Sequence, residues 1–262
     1  MMRHLTRHIV HHILLHEGAP GKMSEPQPLP PAKNERQGGH SIAARIRRAV
    51  ALGEIVPGER LLQRDIAEQY GVSITPVREA FMQLAAQGFI AIDPNRGAVV
   101  VLRSPEEIRE LYEIRKALET LATVKAAERM TTLDYEVLEQ LCERLSGAAK
   151  YEERVEENAA FHRHIHAVAG MHYLVTLIDN LRELSSYYVN TLYRDLVGTQ
   201  KAADAHRRIL DACRAQDEHA IRAAVEAHLE GSAEIAIAVA ATRSGWRRER
   251  KERSPAATAA SI

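Results

Sequence analysis

The chain has little aromatic content, almost no cysteine, no net charge and no long apolar run. Only two cysteines occur in 262 residues, Cys142 and Cys213, both inside helix-like patterns, which excludes a disulfide framework and suits a reducing cytoplasm. No apolar stretch reaches the length that spans a bilayer. Ile9 to Leu15 is interrupted by His11 and His12 and is followed by no small-residue cleavage site, so a signal peptide is not expected. A formal charge of zero neither favours nor disfavours a polyanionic partner. Aromatics make only 5% of the residues, whereas Ala, Leu, Glu and Arg abound, a composition that favours helix. The 45% hydrophobic and 27% charged shares are those of a soluble globular protein with one large or two ordinary domains.

Charge is unevenly distributed. Between Arg36 and Arg103 nine arginines face six acidic residues, and no lysine is present. Arginine is the better group for bidentate contact with phosphates and base edges. Upstream, residues 1–38 read as a tail, with Pro26, Pro28, Pro30 and Pro31 opposing packed structure. His4, His8, His12 and His16 lie four apart there, a possible metal stripe, but an over-long start with Met23 as the true first residue is the stronger reading.

Residues 39–102 read as one small domain. Ile42, Ile46 and Val50 mark a first helix over Ser41–Leu52, and Gln63–Tyr70 a second that stops at Gly71. Thr75-Pro76 predicts a third helix capped by Thr75 and ending at Gly88. Residues 89–92 and 98–101 then flank a polar tip as a hairpin. Helix, helix, turn, helix and hairpin is the order of a winged helix-turn-helix, whose third helix offers free N–H groups and a positive dipole end to DNA. Ser73, Thr75 and Arg78 stand at that end, and Arg96-Gly97 at the hairpin tip.

From Ser104, a capping box with proline at the first helical position opens an all-helical segment over 103–243. Breaks near Thr131, Gly147–Lys150, Gly170–Met171, Gly198 and Gln216–Asp217 predict about six helices, and Arg243 onward reads as a frayed tail, with 244–262 flexible. The predicted fold class is mainly α: a winged helix-turn-helix followed by a helical bundle. Asn158 and His162 lie one turn apart, and His206 and His228 fall on two later helices. One amide oxygen and three imidazoles converging in a bundle would hold a first-row transition metal with positions left open. Ordinary core or surface histidines are the alternative, since His164, His166, His172 and His219 show how common the residue is here.

Two resemblances sharpen these readings. Residues 53–61, the run Tyr70-Gly71-Val72-Ser73-Ile74-Thr75-Pro76-Val77-Arg78-Glu79-Ala80 and Pro94-Asn95-Arg96-Gly97 resemble the GntR family of bacterial regulators. That resemblance implies DNA contacts by Arg64, Thr75, Arg78, Arg96 and Gly97. The family usually carries arginine where Ile74 stands, a residue that would read guanine. Isoleucine either packs on a thymine methyl, altering the preferred operator, or turns inward to the core. Residues 113–119, Phe161-His162, 204–210 and 224–229 are similar to the FCD-type ligand domain of one GntR subgroup. It implies that His162, His206 and His228 bind zinc or a similar ion (nickel or manganese), with Asn158 in place of the usual aspartate, and that the ion helps hold a carboxylate. Arg115 matches the arginine that meets that carboxylate, or else pairs with Glu119 as a helix salt bridge.

The chain is therefore expected to be a cytoplasmic, metabolite-responsive regulator, a repressor rather than an enzyme, acting as a homodimer on a pseudo-palindromic operator. A metal-dependent hydrolase and a metal-free acyl-binding regulator are the alternatives.

Overall fold

The computed structural model describes residues 39–93, 97–194 and 196–252. They form two compact units that meet in sequence between Arg103 and Ser104. The N-terminal histidine cluster, Pro94–Arg96 at the hairpin tip and the final residues from Arg253 lie outside the described residues. No described helix is long and apolar enough to cross a membrane.

In the first unit α1 (Gly39–Leu52) buries Ile42, Ala43, Ile46, Ala49 and Val50, the single face its periodicity predicts. It stops where Gly53 takes φ 77. After β1 (Arg60–Leu61) and α2 (Gln63–Tyr70), Gly71 closes α2 in the left-handed conformation, donating its N–H to Glu68 O at 3.2 Å. Helix α3 (Ile74–Ala86) begins earlier than the sequence suggests. Its N-cap is Ser73, not Thr75, and Pro76 is the third helical residue rather than the first. Proline fits there because no N–H of the first turn has an acceptor within the helix.

The hairpin of β2 (Ile90–Asp93) and β3 (Gly97–Val100) gains a partner that the sequence does not announce. Strand β1 pairs antiparallel with β3, giving the order β1-β3-β2 with Arg60 opposite Val99 and Leu61 opposite Ala98. Two residues are too short to carry an alternation pattern. Leu61, Ile90, Ala98 and Val100 bury one face of this sheet.

The second unit contains α4 (Pro105–Ala127), α5 (Thr132–Gly147), α6 (Tyr151–Ala169), α7 (His172–Asn190), α8 (Leu196–Arg214) and α9 (Glu218–Glu252). The expected capping box starts α4: Glu107 N–H donates to Ser104 Oγ at 3.1 Å, and Ser104 N–H to Glu107 Oε2 at 2.7 Å. Two expectations need correction. The break placed at Gly198 lies earlier, in a 3₁₀ turn at Thr191–Arg194, and Gly198 is in the first turn of α8. The frayed tail from Arg243 is instead the end of α9, which stays helical to Glu252. Arginine, glutamate and lysine make up most of that stretch, outweighing Gly245, and the next proline is Pro255.

Helix α4 packs against α6, α7 and α9 and keeps one exposed face that includes Glu106, Arg109, Glu110 and Glu113. Its inward face is unusually polar, with Arg115, Glu119, Thr120 and Thr123 all buried. Arg154 of α6 fixes the neighbouring turn by donating to Ala148 O (2.9 Å), Ala149 O (2.9 Å) and Tyr193 O (3.1 Å). Those bonds satisfy carbonyls at the end of α5 and orient the helix that carries the histidines.

Candidate DNA interface and buried ligand site

At the start of α3 the polar and apolar faces separate cleanly. Val77, Ala80, Phe81 and Leu84 are buried, while Ser73, Ile74, Thr75 and Arg78 are exposed. Ser73 makes no side-chain cap bond, so its hydroxyl is not committed to the helix. Ile74 is 52% exposed, which disposes of the inward-turned alternative. An isoleucine held in water beside free helix-end N–H groups has apolar surface available to a partner. Arg64 is exposed on α2. Arg96 lies outside the described residues. Gly97 has a structural reason for being glycine: its φ is 86, and a Cβ there would sit 2.6 Å from Leu61 O.

In the second unit α6, α8 and α9 bring His162, His206 and His228 together. Their ring centroids form a near-equilateral triangle with separations of 4.8, 5.0 and 5.0 Å. His162 Nε2 and His206 Nε2 lie 3.2 Å apart. Nitrogens each about 2.0–2.1 Å from one ion are separated by roughly 3.0–3.4 Å, so this edge fits a metal. Phe161 stacks on His206 at 4.2 Å and fixes its plane. His206 Nδ1 is buried without a partner. Asn158 is buried one turn before His162 on α6.

Burial pushes the imidazoles below their ordinary range, with the charge of Arg182 acting in the same direction. His228 falls to about 4, and His162 and His206 lie well below 6.5. At neutral pH all three are uncharged and present lone pairs, the form a metal requires.

Beside this triangle lies a charged node that joins three helices. Glu119 of α4 accepts from Arg115 Nε at 2.7 Å through one oxygen, and from Arg182 Nη1 of α7 at 3.0 Å through the other. His166 Nε2 of α6 lies 3.7 Å from that second oxygen. Burial alone would raise the Glu119 pKa, but Arg115, Arg182 and His166 outweigh it and hold it at about 2. Arg115 also donates to Ser185 Oγ at 3.0 Å and lies 4.4 Å above the Tyr112 ring. Thus the salt-bridge alternative for Arg115 is the arrangement found in this structure.

Glu119, His162 and His166 also lie close enough to form a second metal-like group. Both carboxylate oxygens there are engaged by guanidinium groups, whose charge opposes a cation, so the imidazole triangle is the better donor set. Glu119, His166 and Arg182 were not candidates from sequence. His166 stands four residues from His162 and Glu119 four from Arg115, spacings that could have flagged them. Arg182 has no such local signal.

The first unit matches the family described as bacterial regulatory proteins, gntR family, over residues 39–100, and the second matches the FCD domain over 110–231. McbR, an HTH-type transcriptional regulator of Escherichia coli (strain K12), is 28% identical over 182 residues, covering 68% of this chain and 82% of its own. The gluconate operon transcriptional repressor of Bacillus subtilis (strain 168) is 29% identical, with 70% and 76% covered. The HTH-type transcriptional repressor RspR of E. coli (strain K12) is 27% identical, with 77% and 90% covered. Among solved structures, E. coli McbR/YncC superposes with a TM-score of 0.68 at 25% identity, covering 73% of this chain and 93% of that one. An exposed, arginine-bearing helix start behind a three-stranded wing, joined in sequence to a bundle with buried imidazoles, agrees with those matches: the chain belongs to the GntR family of DNA-binding transcriptional regulators, carries an FCD domain, and is not an enzyme.

Proposed function

We propose that the protein is a repressor that releases its operator when the second unit binds a small carboxylate beside a divalent metal. The observation that carries this reading is the buried node of two guanidiniums and one carboxylate next to a triangle of neutral imidazoles. Such a node is short of negative charge, and a carboxylate ligand supplies it. Asn158, His162, His206 and His228 would hold the metal, zinc by donor type, with nickel or manganese as substitutes. When bound, the ion supplies a positive centre that takes a carboxylate oxygen. Asn158 brings an amide where an aspartate would bring charge, so the site is one unit more positive and favours an anionic ligand.

On the DNA side, Arg64, Ser73, Ile74, Thr75, Arg78, Arg96 and Gly97 would form the contact surface. The arginines and hydroxyls take phosphates and base edges, and Ile74 meets a thymine methyl. Two copies in a homodimer would read the halves of a pseudo-palindrome. The ligand can change operator affinity only by binding two arrangements of the dimer unequally.

The test is a mobility shift with the protein's own upstream region at low salt. The full chain should retard that DNA, and Arg78→Ala should not while melting at the same temperature. Carboxylates should release the wild-type complex. Failure to bind the DNA at low salt overturns the proposal.

A further inference from the structure

The guanidinium that resemblance assigns to the ligand is already occupied. Arg115 is buried to 5% exposure of its side chain, bonded through Nε to Glu119 and through Nη1 to Ser185, and stacked on Tyr112. Two of its nitrogens are engaged and the ring covers one face. Only Nη2 has no hydrogen bond of that kind, and it belongs to a side chain that is almost wholly buried.

Arg182 is in a different position. It lies on α7 one turn before Ser185, and its side chain is 17% exposed. Among the described residues its hydrogen bonding is the single Nη1 contact to Glu119 Oε2 at 3.0 Å. A guanidinium offers five N–H donors in a planar fork suited to a carboxylate, so most of this group's capacity is unused. The local charge is also unbalanced. At hydrogen-bonding distance Arg115 and Arg182 share one carboxylate, and Asp179, one turn before Arg182, is a further acidic group that feels its charge. The bonded node thus sets two guanidiniums against one carboxylate, and Arg182 is its more accessible member.

Its surroundings suit a ligand that touches both charge and metal. Arg182 bonds Glu119, whose carboxylate lies within 4.8 Å of the ligand nitrogens of His162 and His166, and His162 is one corner of the imidazole triangle, so the guanidinium lies close to it. The Tyr112 side chain, on a residue 1% exposed, packs against Arg115 and helps to hold that guanidinium in place.

We propose that Arg182, rather than Arg115, receives the carboxylate of the effector. This assignment rests on the carboxylate-sensing reading above. Glu119 and Arg115 then act as positioning residues: they hold the Arg182 fork by one corner and leave the remainder for the ligand.

Calorimetric titration of the full-length protein with mono-, di- and tricarboxylates, from acetate and lactate through succinate to citrate, tests the assignment. For the tightest binder, Arg182→Gln should weaken affinity about thirtyfold or more, the scale of a lost charge-assisted contact. Arg182→Lys should bind with intermediate affinity. The wild-type preference for that carboxylate over its primary amide should collapse in Arg182→Gln. Should the wild type bind a carboxylate and Arg182→Gln bind it within threefold, this assignment is overturned while the sensing reading stands. Should the wild type bind no carboxylate, the reading fails and the assignment with it. If Arg182→Gln does not fold, Arg182→Lys decides: reduced affinity at an unchanged melting temperature supports the assignment, and unchanged affinity overturns it.

Discussion

Replacing Glu119 by glutamine keeps the shape of the side chain and removes the one negative charge in the buried node. The size of the effect follows in two ways. Glu119 is 2% exposed and bonded to two guanidiniums, and removing one partner of a buried ion pair costs about 3–5 kcal/mol. Independently, its carboxyl is held at about 2 against 4.5 in the unfolded chain, which corresponds to about 3 kcal/mol at neutral pH. Because the folded-state value is the lower one, that contribution is complete above about pH 4.5 and is lost as the pH falls toward 2. The two routes agree. For a unit of this size the melting temperature should fall by roughly 6–15 °C. Urea denaturation should move its midpoint with little change in slope. Added acetate or citrate should recover more stability in Glu119→Gln than in the wild type, since the variant leaves two unneutralised guanidiniums. A variant within about 0.5 kcal/mol of wild type at neutral pH, with no response to anions, would refute the charge-node argument.

Other consequences are as direct. Gly97→Ala must adopt φ 86 with its Cβ 2.6 Å from Leu61 O, so it should destabilise the first unit by at least about 2 kcal/mol, read as an earlier unfolding step. Ile74→Arg should add guanine preference to sites selected from random DNA without lowering the melting temperature, because residue 74 is outside the core. Burial lifts the Cys142 and Cys213 thiols to about 11 and about 12, so a thiolate-selective reagent at pH 8 should label neither until denaturant is added. In acid, His166 and His228 stay neutral down to about 4 when folded, whereas the unfolded chain takes up protons near 6.5. Metal-free protein should therefore lose about 2 kcal/mol per histidine between pH 7 and pH 5, measured by urea denaturation at each pH. Added zinc should raise stability at both pH values without lessening that loss, because it binds the same neutral imidazoles, and His206→Gln should abolish the zinc effect.

What the sequence determined by itself is local. The cap at Ser104, the stop at Gly71, the single apolar face of α1 and the hairpin order are each decided by residues within a turn or two of one another, so propensity and periodicity expose them. The histidine triangle was also foreseeable in outline, because α6 supplies a spacing and the bundle supplies convergence. Misplacing the α3 cap by two residues and the break at Gly198 belongs to the same local level, where several nearby residues compete for one role.

Tertiary structure decided the rest. A two-residue strand such as β1 exists only because β3 offers it a ladder, and Gly97 is constrained by a carbonyl 36 positions earlier. Above all, residues 115, 119, 166 and 182 become one charge node only when α4, α6 and α7 pack together. No pattern along the chain states which of two arginines a carboxylate will enclose and which it will leave open. Electrostatic partnership falls off with distance in space, not with separation in sequence, so that choice belongs to the packed bundle alone.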